Sequence, residues 1–293
     1  MKASTFDYAR AASVEEALQL LVAHGDQAKV LSGGQSLMPA MNLRVIAPAV
    51  IVDIGNLDEL RGLSVRGDHL TIGALTRHVE LLKSPEIAAH APLLTEAAAH
   101  IAHPAIRNRG TIGGSLAQAD PASELPACMV ALAATIVVRG PAGERRIAAR
   151  DFFTGIFQTA LSPQELLTSV ELPLARQHSA WFFHEFARRH GDYAITGLAA
   201  QASLQADGFS DLRMVFFAVG DRPMLAVSTD RLIGVPVTPA LLSDAAAALE
   251  SELDPMEDQQ ASASMRRHLS IVLLKRCVGS LLRRADLYAG DGA

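Results

Sequence analysis

The sequence predicts an α+β protein built in two domains, and three observations predict it. The first half orders its elements as helix, strand, glycine loop and strand, which mixes helices with sheet. A polar break led by a proline, "LARQHSA" (174–180), separates that half from the rest. Beyond it, three strand-length runs precede two long helical stretches, the pattern of a small antiparallel sheet with helices packed on it. The expected domains are therefore 1–177 and 178–293.

The elements follow in order. Ser13 and Glu16 have capping-box spacing, and Val14, Ala17, Leu18, Leu21 and Val22 form one apolar stripe up to a stop at Gly25, so a helix is expected. "AKVLSGG" reads as a strand running into a glycine turn, and "AVIVDIG" (49–55) as a strand buried on both faces. "HLTIGAL" is a third strand. Ser84 and Pro85 suit N-cap and N1 of a helix that carries Ile87, Leu93, Leu94, Ala97, Ala98 and Ile101 inward and ends near His103-Pro104. Asp120 and Pro121 look like another N-cap and N1 pair, opening a helix through "ASELPACMVALAA". "TIVVRGPAGERRIA" is a hairpin, and "LLTSVELP" (166–173) a further strand. "WFFHEFARR", "ITGLAAQASLQ" and "LRMVFFAVG" have strand length, with "ADG" (206–208) turning between the last two. "PALLSDAAAALESEL" and "ASASMRRHLSIVLLKRCVGSLLRRADL" are helical.

Composition narrows the function classes. Hydrophobic residues at 49% and charged residues at 19% describe a globular chain with room for real cores. Lys and Arg number 26 against 31 Asp and Glu, a net charge of −5, so no nucleic-acid partner is expected. Two cysteines, Cys128 and Cys277, are too few for a disulfide framework or a four-cysteine metal or iron–sulfur site, so no metal site is expected, and their sparsity fits a reducing, cytoplasmic setting. "MKASTFDYAR" has no apolar core and does not read as a signal peptide, and the longest apolar run, 127–138, is too short to span a bilayer.

Two glycine loops carry the chemistry. Ser32-Gly33-Gly34-Gln35-Ser36 follows a strand; Thr111-Ile112-Gly113-Gly114-Ser115 precedes the helix expected at Asp120-Pro121. Adjacent glycines let backbone approach a ligand, and successive N–H groups in such turns form an anion-binding concavity. Neither loop matches the dinucleotide fingerprint or the P-loop, and a single Gly-Gly pair is also what an ordinary turn requires.

"LSGGQSLMPAMNLR" (31–44) and "IRNRGTIGGSLAQADPASELPA" (106–127) resemble the two flavin-binding signatures of the FAD-bearing medium subunit of molybdenum hydroxylases, the xanthine dehydrogenase and carbon monoxide dehydrogenase family. "FARRHGDYAITGLAA" (186–200) resembles the start of that subunit's C-terminal domain. The resemblance covers nearly the whole chain. It implies a two-subdomain FAD-binding fold of the p-cresol methylhydroxylase and vanillyl-alcohol oxidase type, followed by the small antiparallel domain. Val30, Leu31, Ser32, Gly33, Gly34, Gln35, Ser36 and Leu37 would wrap the pyrophosphate and flavin side, and Thr111, Ile112, Gly113, Gly114 and Ser115 would close on the pyrophosphate from the other side. Asp120 would bond the polyol or nucleotide portion, Leu167 would make an apolar contact, and Tyr193 would stand near the isoalloxazine ring. The family often has a lysine where this chain reads His184-Glu185-Phe186, and no lysine stands there. The resemblance further implies a small partner subunit with 2Fe–2S clusters, a large partner with the molybdenum cofactor that hydroxylates the substrate, and a dimer of heterotrimers. Electrons would pass from the clusters to FAD and on to an external acceptor. No catalytic side chain is expected here, because the flavin does the chemistry.

The remaining residues have plainer readings beside functional ones. Arg107 and Arg109 counter phosphates or are solvated loop arginines. Glu124, four residues after Asp120, reads as a surface residue; His103 reads as a helix end; the basic clusters at 188–190, 266–268 and 283–284 read as surface or interface charge. Three functions stay open on the residues alone: the electron-transfer subunit, a free-standing FAD oxidase or dehydrogenase on the same fold, and a scaffold in which the glycine loops are only turns.

Overall fold

The structure is a computed structural model and describes residues 2–176, 178–205 and 208–290. The chain opens with β1 (Asp7–Arg10), α1 (Val14–His24), β2 (Ala28–Leu31), α2 (Leu37–Asn42) and β3 (Val50–Asp53). β3 lies between β1 and β2, parallel to both. Ser13 Oγ caps α1 by accepting Glu16 N–H, and Val14, Ala17 and Leu21 bury the helix against this small sheet. Val22 points outward, and β1, too polar to read as a strand, is found at the edge.

Next come β4 (Leu63–Arg66), β5 (His69–Gly73) and the short helices α3 (His78–Lys83), α4 (Pro85–His90), α5 (Pro92–His100), α6 (Pro104–Arg107), α7 (Ile112–Gln118) and α8 (Glu124–Ala131). The single helix expected from Ser84 is broken at Ala91, because Pro92 removes a donor and disfavours the helical region for the residue before it. The inward positions are nonetheless those expected: Ile87, Leu93, Leu94, Ala97 and Ala98 are fully buried. The helix expected at Asp120-Pro121 starts instead at Glu124; Asp120 Oδ1 accepts Ala122 N–H in a local turn that holds the chain out of the helix. A helix not expected at all, α7, occupies the second glycine loop itself.

The hairpin β6 (Thr135–Gly140) and β7 (Gly143–Ala148) leads through α9 (Ala149–Phe152), β8 (Phe153–Gly155) and β9 (Gln158–Thr159) to β10 (Leu166–Pro173). β10 inserts between β5 and β6, giving an antiparallel sheet ordered β4-β5-β10-β6-β7. The last part carries β11 (Ser179–Phe186), β12 (Thr196–Gln205), β13 (Gly208–Phe217), β14 (Met224–Leu225), α10 (Pro239–Glu252) and α11 (Ala263–Gly290). The turn expected at 206–208 falls largely outside the described residues. The four strands pair antiparallel in sequence order. Alternation along β12 and β13 sends Leu198, Ala200, Met214 and Phe216 toward α10 and α11, and Ala199, Val215 and Phe217 toward α5 and α8. One apolar core therefore runs from the five-stranded sheet through α5 and α8 into the last sheet.

Arg266, expected from the sequence as surface or interface charge, is 5% exposed. Its guanidinium donates to the carbonyls of Ile195 and Ala218 and pairs with Asp258 at 2.7 Å, tying α11 to the loops beside β12 and β13.

Candidate cofactor site

A cavity of about 720 Å³ opens at the carboxyl ends of β2 and β3, where parallel strands commonly place ligands. Leu31, Ser32, Gly33, Gly34 and Gln35 form one wall, with Met38 behind them; Asp53, Gly55 and Asn56 form another; Arg61, Arg77 and Arg109 supply positive charge at the rim.

The first loop is held open toward this cavity. Gln35 Nε2 donates to the Gly33 carbonyl at 3.0 Å, and Gly34 takes φ +72°. Among the described residues, the N–H groups of Gly33, Gly34, Gln35 and Ser36 meet no acceptor in the chain. Gly33 is glycine because nothing larger fits: a Cβ there would overlap the Arg109 carbonyl oxygen and lie 2.8 Å from Gly110 Cα.

The second loop is built differently. Thr111 is the N-cap of α7, its hydroxyl accepting Gly114 N–H at 3.1 Å. Ile112 N–H donates to the Thr76 carbonyl, Gly113 N–H to Ala74, and Ser115 N–H to Thr111. The free amides expected at this loop are thus consumed inside the protein. A Cβ on Gly113 would lie 2.8 Å from the Ala74 carbonyl, so that glycine seats the helix on the strand end beneath it. The two loops meet where Ser32 Oγ and Thr111 Oγ1 share a hydrogen bond of 2.7 Å.

Beneath that junction sits His78, which belongs to no motif in the sequence. It is 5% exposed, its Nε2 lies 3.0 Å from the Thr111 carbonyl, and its Nδ1 has no partner. Burial lowers it to about 4, the Thr111 carbonyl opposing and Arg107 assisting, so at neutral pH it is an uncharged imidazole donating from Nε2. Asp53 is a second such residue. Its Oδ2 accepts from the Tyr8 hydroxyl and its Oδ1 from Gly55 N–H at 2.8 Å. A lone carboxylate ending the apolar run "VIVD" is the signal that was available.

The expected residues divide between two places. Leu31, Ser32, Gly33, Gly34, Gln35 and Thr111 line the cavity, joined by Arg109. Val30 lies behind it on β2, Ser36 is N-cap of α2 and Leu37 begins that helix. Leu167 is buried on β10, next to the bulge at Thr168 whose carbonyl takes Ala74 N–H. Asp120 and Tyr193 lie beyond the far end of α7, about 10 Å of helical rise from Thr111. Asp120 is raised by burial, and Tyr193 is raised by desolvation first and then by the charges of Asp120 and Glu124. Arg107 turns away from the cavity: its Nη1 donates to the carbonyls of Ala99, Ile101 and Ala102 and closes the end of α5. Glu124, expected as a surface residue, is half-buried at the start of α8.

Comparison with known proteins decides the family. Residues 4–175 match the FAD binding domain in molybdopterin dehydrogenase, and residues 181–281 match the CO dehydrogenase flavoprotein C-terminal domain. The chain belongs to the FAD-binding medium subunits of molybdenum hydroxylases. It is 40% identical over 287 residues to 6-hydroxypseudooxynicotine dehydrogenase complex subunit alpha of Paenarthrobacter nicotinovorans, covering 97% of each chain. Carbon monoxide dehydrogenase from Hydrogenophaga pseudoflava, in a form that lacks the Mo-pyranopterin moiety of its cofactor, superposes with a TM-score of 0.95 at 34% identity, over 97% of this chain and 99% of that one. Quinoline 2-oxidoreductase from Pseudomonas putida 86 follows at 0.91 and 36%, over 97% and 99%. As a medium subunit of an oxidoreductase, the chain carries an FAD-binding domain. The cavity fits that cofactor: a glycine backbone with unpaired amides and three rim arginines suit a pyrophosphate.

Proposed function

We propose that this chain is the electron-transfer subunit of a multisubunit molybdenum hydroxylase. It receives electrons from 2Fe–2S clusters of a small partner and passes them through FAD to an external acceptor, while a large partner bearing the molybdenum cofactor hydroxylates the substrate. The expected assembly is a dimer of heterotrimers in the cytoplasm, with the chain divided at 177/178. Among the described residues no helix is long and apolar enough to cross a membrane.

The observation that carries this reading is the first loop, whose amides lack acceptors among the described residues and whose Leu31–Gln35 stretch lines a cavity together with Arg61, Arg77 and Arg109. In this reading the N–H groups of Gly33–Ser36 and the rim arginines hold the pyrophosphate. Thr111–Ser115 position that loop from behind through the Ser32–Thr111 bond. Asp120 and Tyr193, beyond the far end of α7, would hold the flavin portion, and Leu167 would make an apolar contact to the cofactor. When bound, the flavin supplies the one- and two-electron chemistry. The chain orients it and shields it from water.

The test is an absorption spectrum of the chain co-expressed with its genomic neighbours, with mass identification of the released cofactor. One FAD per chain plus iron–sulfur absorbance from a co-purifying partner is the expected result. FAD on a solitary chain that turns over a substrate, or no flavin in the intact assembly, would overturn it.

A further inference from the structure

Among the described residues that line the cofactor cavity, Asp53 is the one acid. A carboxylate accepts hydrogen bonds and repels phosphate, so it cannot share the work of Arg61, Arg77 and Arg109. Its place is fixed by the fold. β2, the first loop, α2 and β3 form a parallel strand–loop–helix–strand unit, and Asp53 ends the second strand. In register it lies beside Leu31, the residue that leads into the loop. It stands about 20 residues after Gly33. A glycine loop after one strand and an acid at the carboxyl end of the neighbouring parallel strand is an arrangement that offers a nucleotide's phosphates backbone amides and its ribose hydroxyls a carboxylate. The glycine fingerprint of dinucleotide folds is absent, yet the topology brings the loop and the acid to one cavity.

Asp53 is also held from behind. Arg10 of β1 is its register partner on the other side of β3. The Tyr8 hydroxyl donates to Asp53 Oδ2, and Arg10 Nε donates to the Tyr8 oxygen at 3.1 Å while lying 3.5 Å from the same Oδ2. Gly55 N–H donates to Oδ1 at 2.8 Å. These bonds fix the orientation of the carboxylate and leave an unused lone pair on each oxygen. The side chain keeps 15% of its surface exposed, and it lines the cavity. Arg61, the nearest rim arginine in the chain, is turned to other acceptors: it donates to the Gly55 carbonyl and lies 3.4 Å from Asp58.

We propose that Asp53 is the ribose-binding residue of this site. Its carboxylate accepts hydrogen bonds from the hydroxyls of the adenosine ribose of FAD, and Tyr8 and Arg10 are positioning residues that act through it. This rests on the reading above, in which the cavity takes FAD with the pyrophosphate at the first loop. The pyrophosphate joins two hydroxyl-bearing parts, the ribose of the adenosine and the ribityl chain of the flavin. With the flavin portion at Asp120 and Tyr193, the ribose falls to the carboxyl end of β3. Hydroxyl donors meeting a fixed, charged acceptor make the stronger kind of hydrogen bond.

The test is calorimetric titration of the full, flavin-free chain with ADP and with 2′,3′-dideoxy-ADP, which lacks the ribose hydroxyls and keeps the base and both phosphates. The wild type should bind ADP roughly tenfold tighter or more. Asp53→Ala should erase that preference, Asp53→Asn should leave a small part of it, and Tyr8→Phe should reduce it. Discrimination between the two nucleotides is a readout that a structural role does not move: if Asp53 only ties β1 to β3, its replacement weakens both ligands alike. Equal binding of the two by the wild type, an undiminished preference in Asp53→Ala, or no binding of ADP at all would overturn the assignment. Should Asp53→Ala fail to fold, Asp53→Asn carries the same comparison. FAD uptake is read separately by absorbance. A chain that discriminates between the nucleotides yet takes no FAD would sink the electron-transfer reading and leave the ribose site standing, whereas a chain that fills with FAD and does not discriminate would do the reverse.

Discussion

The two glycine loops read almost alike, Ser32-Gly33-Gly34-Gln35-Ser36 against Thr111-Ile112-Gly113-Gly114-Ser115, yet they use their backbones in opposite ways. The first leaves the N–H groups of Gly33, Gly34, Gln35 and Ser36 without an acceptor among the described residues, and its Leu31–Gln35 stretch lines a cavity. The second gives its N–H groups to Thr76, Ala74 and its own Thr111, and spends its glycines on seating α7. A glycine pair therefore signals close approach of backbone to something; whether that something is a ligand or the protein depends on which donors are already bonded. The second loop is the frame that fixes the first.

Substitutions can break this comparison, and the largest effect is expected at Gly33. Gly33→Val would drive side-chain atoms into the Arg109 carbonyl and part the loops, weakening FAD binding by roughly 100-fold or more. The ratio of bound FAD to protein after desalting, read beside circular dichroism, measures it; full FAD on a folded Gly33→Val chain would show that the junction is not needed.

The frame itself should be acid-sensitive. His78 is held at about 4 in the folded chain against 6.5 ordinarily, so the folded state keeps it neutral while the unfolded chain takes up a proton. Its contribution is intact above pH 6.5 and is lost as pH falls toward about 4, by on the order of 3 kcal/mol. Urea midpoints across that window should drop in the wild type and flatten in His78→Phe; parallel curves would remove His78 from the frame.

A smaller effect is expected at the latch. Ser32→Ala and Thr111→Val, combined in a double-mutant cycle, should show a coupling of about 1 kcal/mol, with Thr111→Val costing about 1 kcal/mol more through the lost cap. Additive effects would mean that the loops are positioned independently.

The smallest effect separates two neighbouring arginines. Arg109→Ala should weaken FAD by about 10-fold with little change in melting temperature. Arg107→Ala should lower the melting temperature and leave FAD affinity alone, since its guanidinium serves the end of α5. Exchanged outcomes would invert the assignment.

The sequence made most of the fold legible where local chemistry and burial agree. The cap at Ser13, the apolar β3, the β6–β7 hairpin and the late strands and helices all stand where the pattern put them. α7 was hidden because Gly113 and Gly114 are poor helix formers, and only contact with Ala74 and the cap at Thr111 holds them helical. Asp120-Pro121 misled because an aspartate can satisfy the chain two residues on without starting a helix. Asp53, Arg61, Arg77 and His78 carry no local signal strong enough to select them; parallel pairing of β2 with β3 and the packing of α3 under Gly110 bring them to the loops.

The most direct measurement is amide hydrogen exchange of the flavin-free chain before and after FAD is added. The N–H groups of Gly33, Gly34, Gln35 and Ser36 should exchange fast alone and become strongly protected with FAD, while those of Ile112–Ser115 should be protected in both states. Protection that appears only at Ile112–Ser115, with Gly33–Ser36 unchanged, would contradict the division of labour between the two loops.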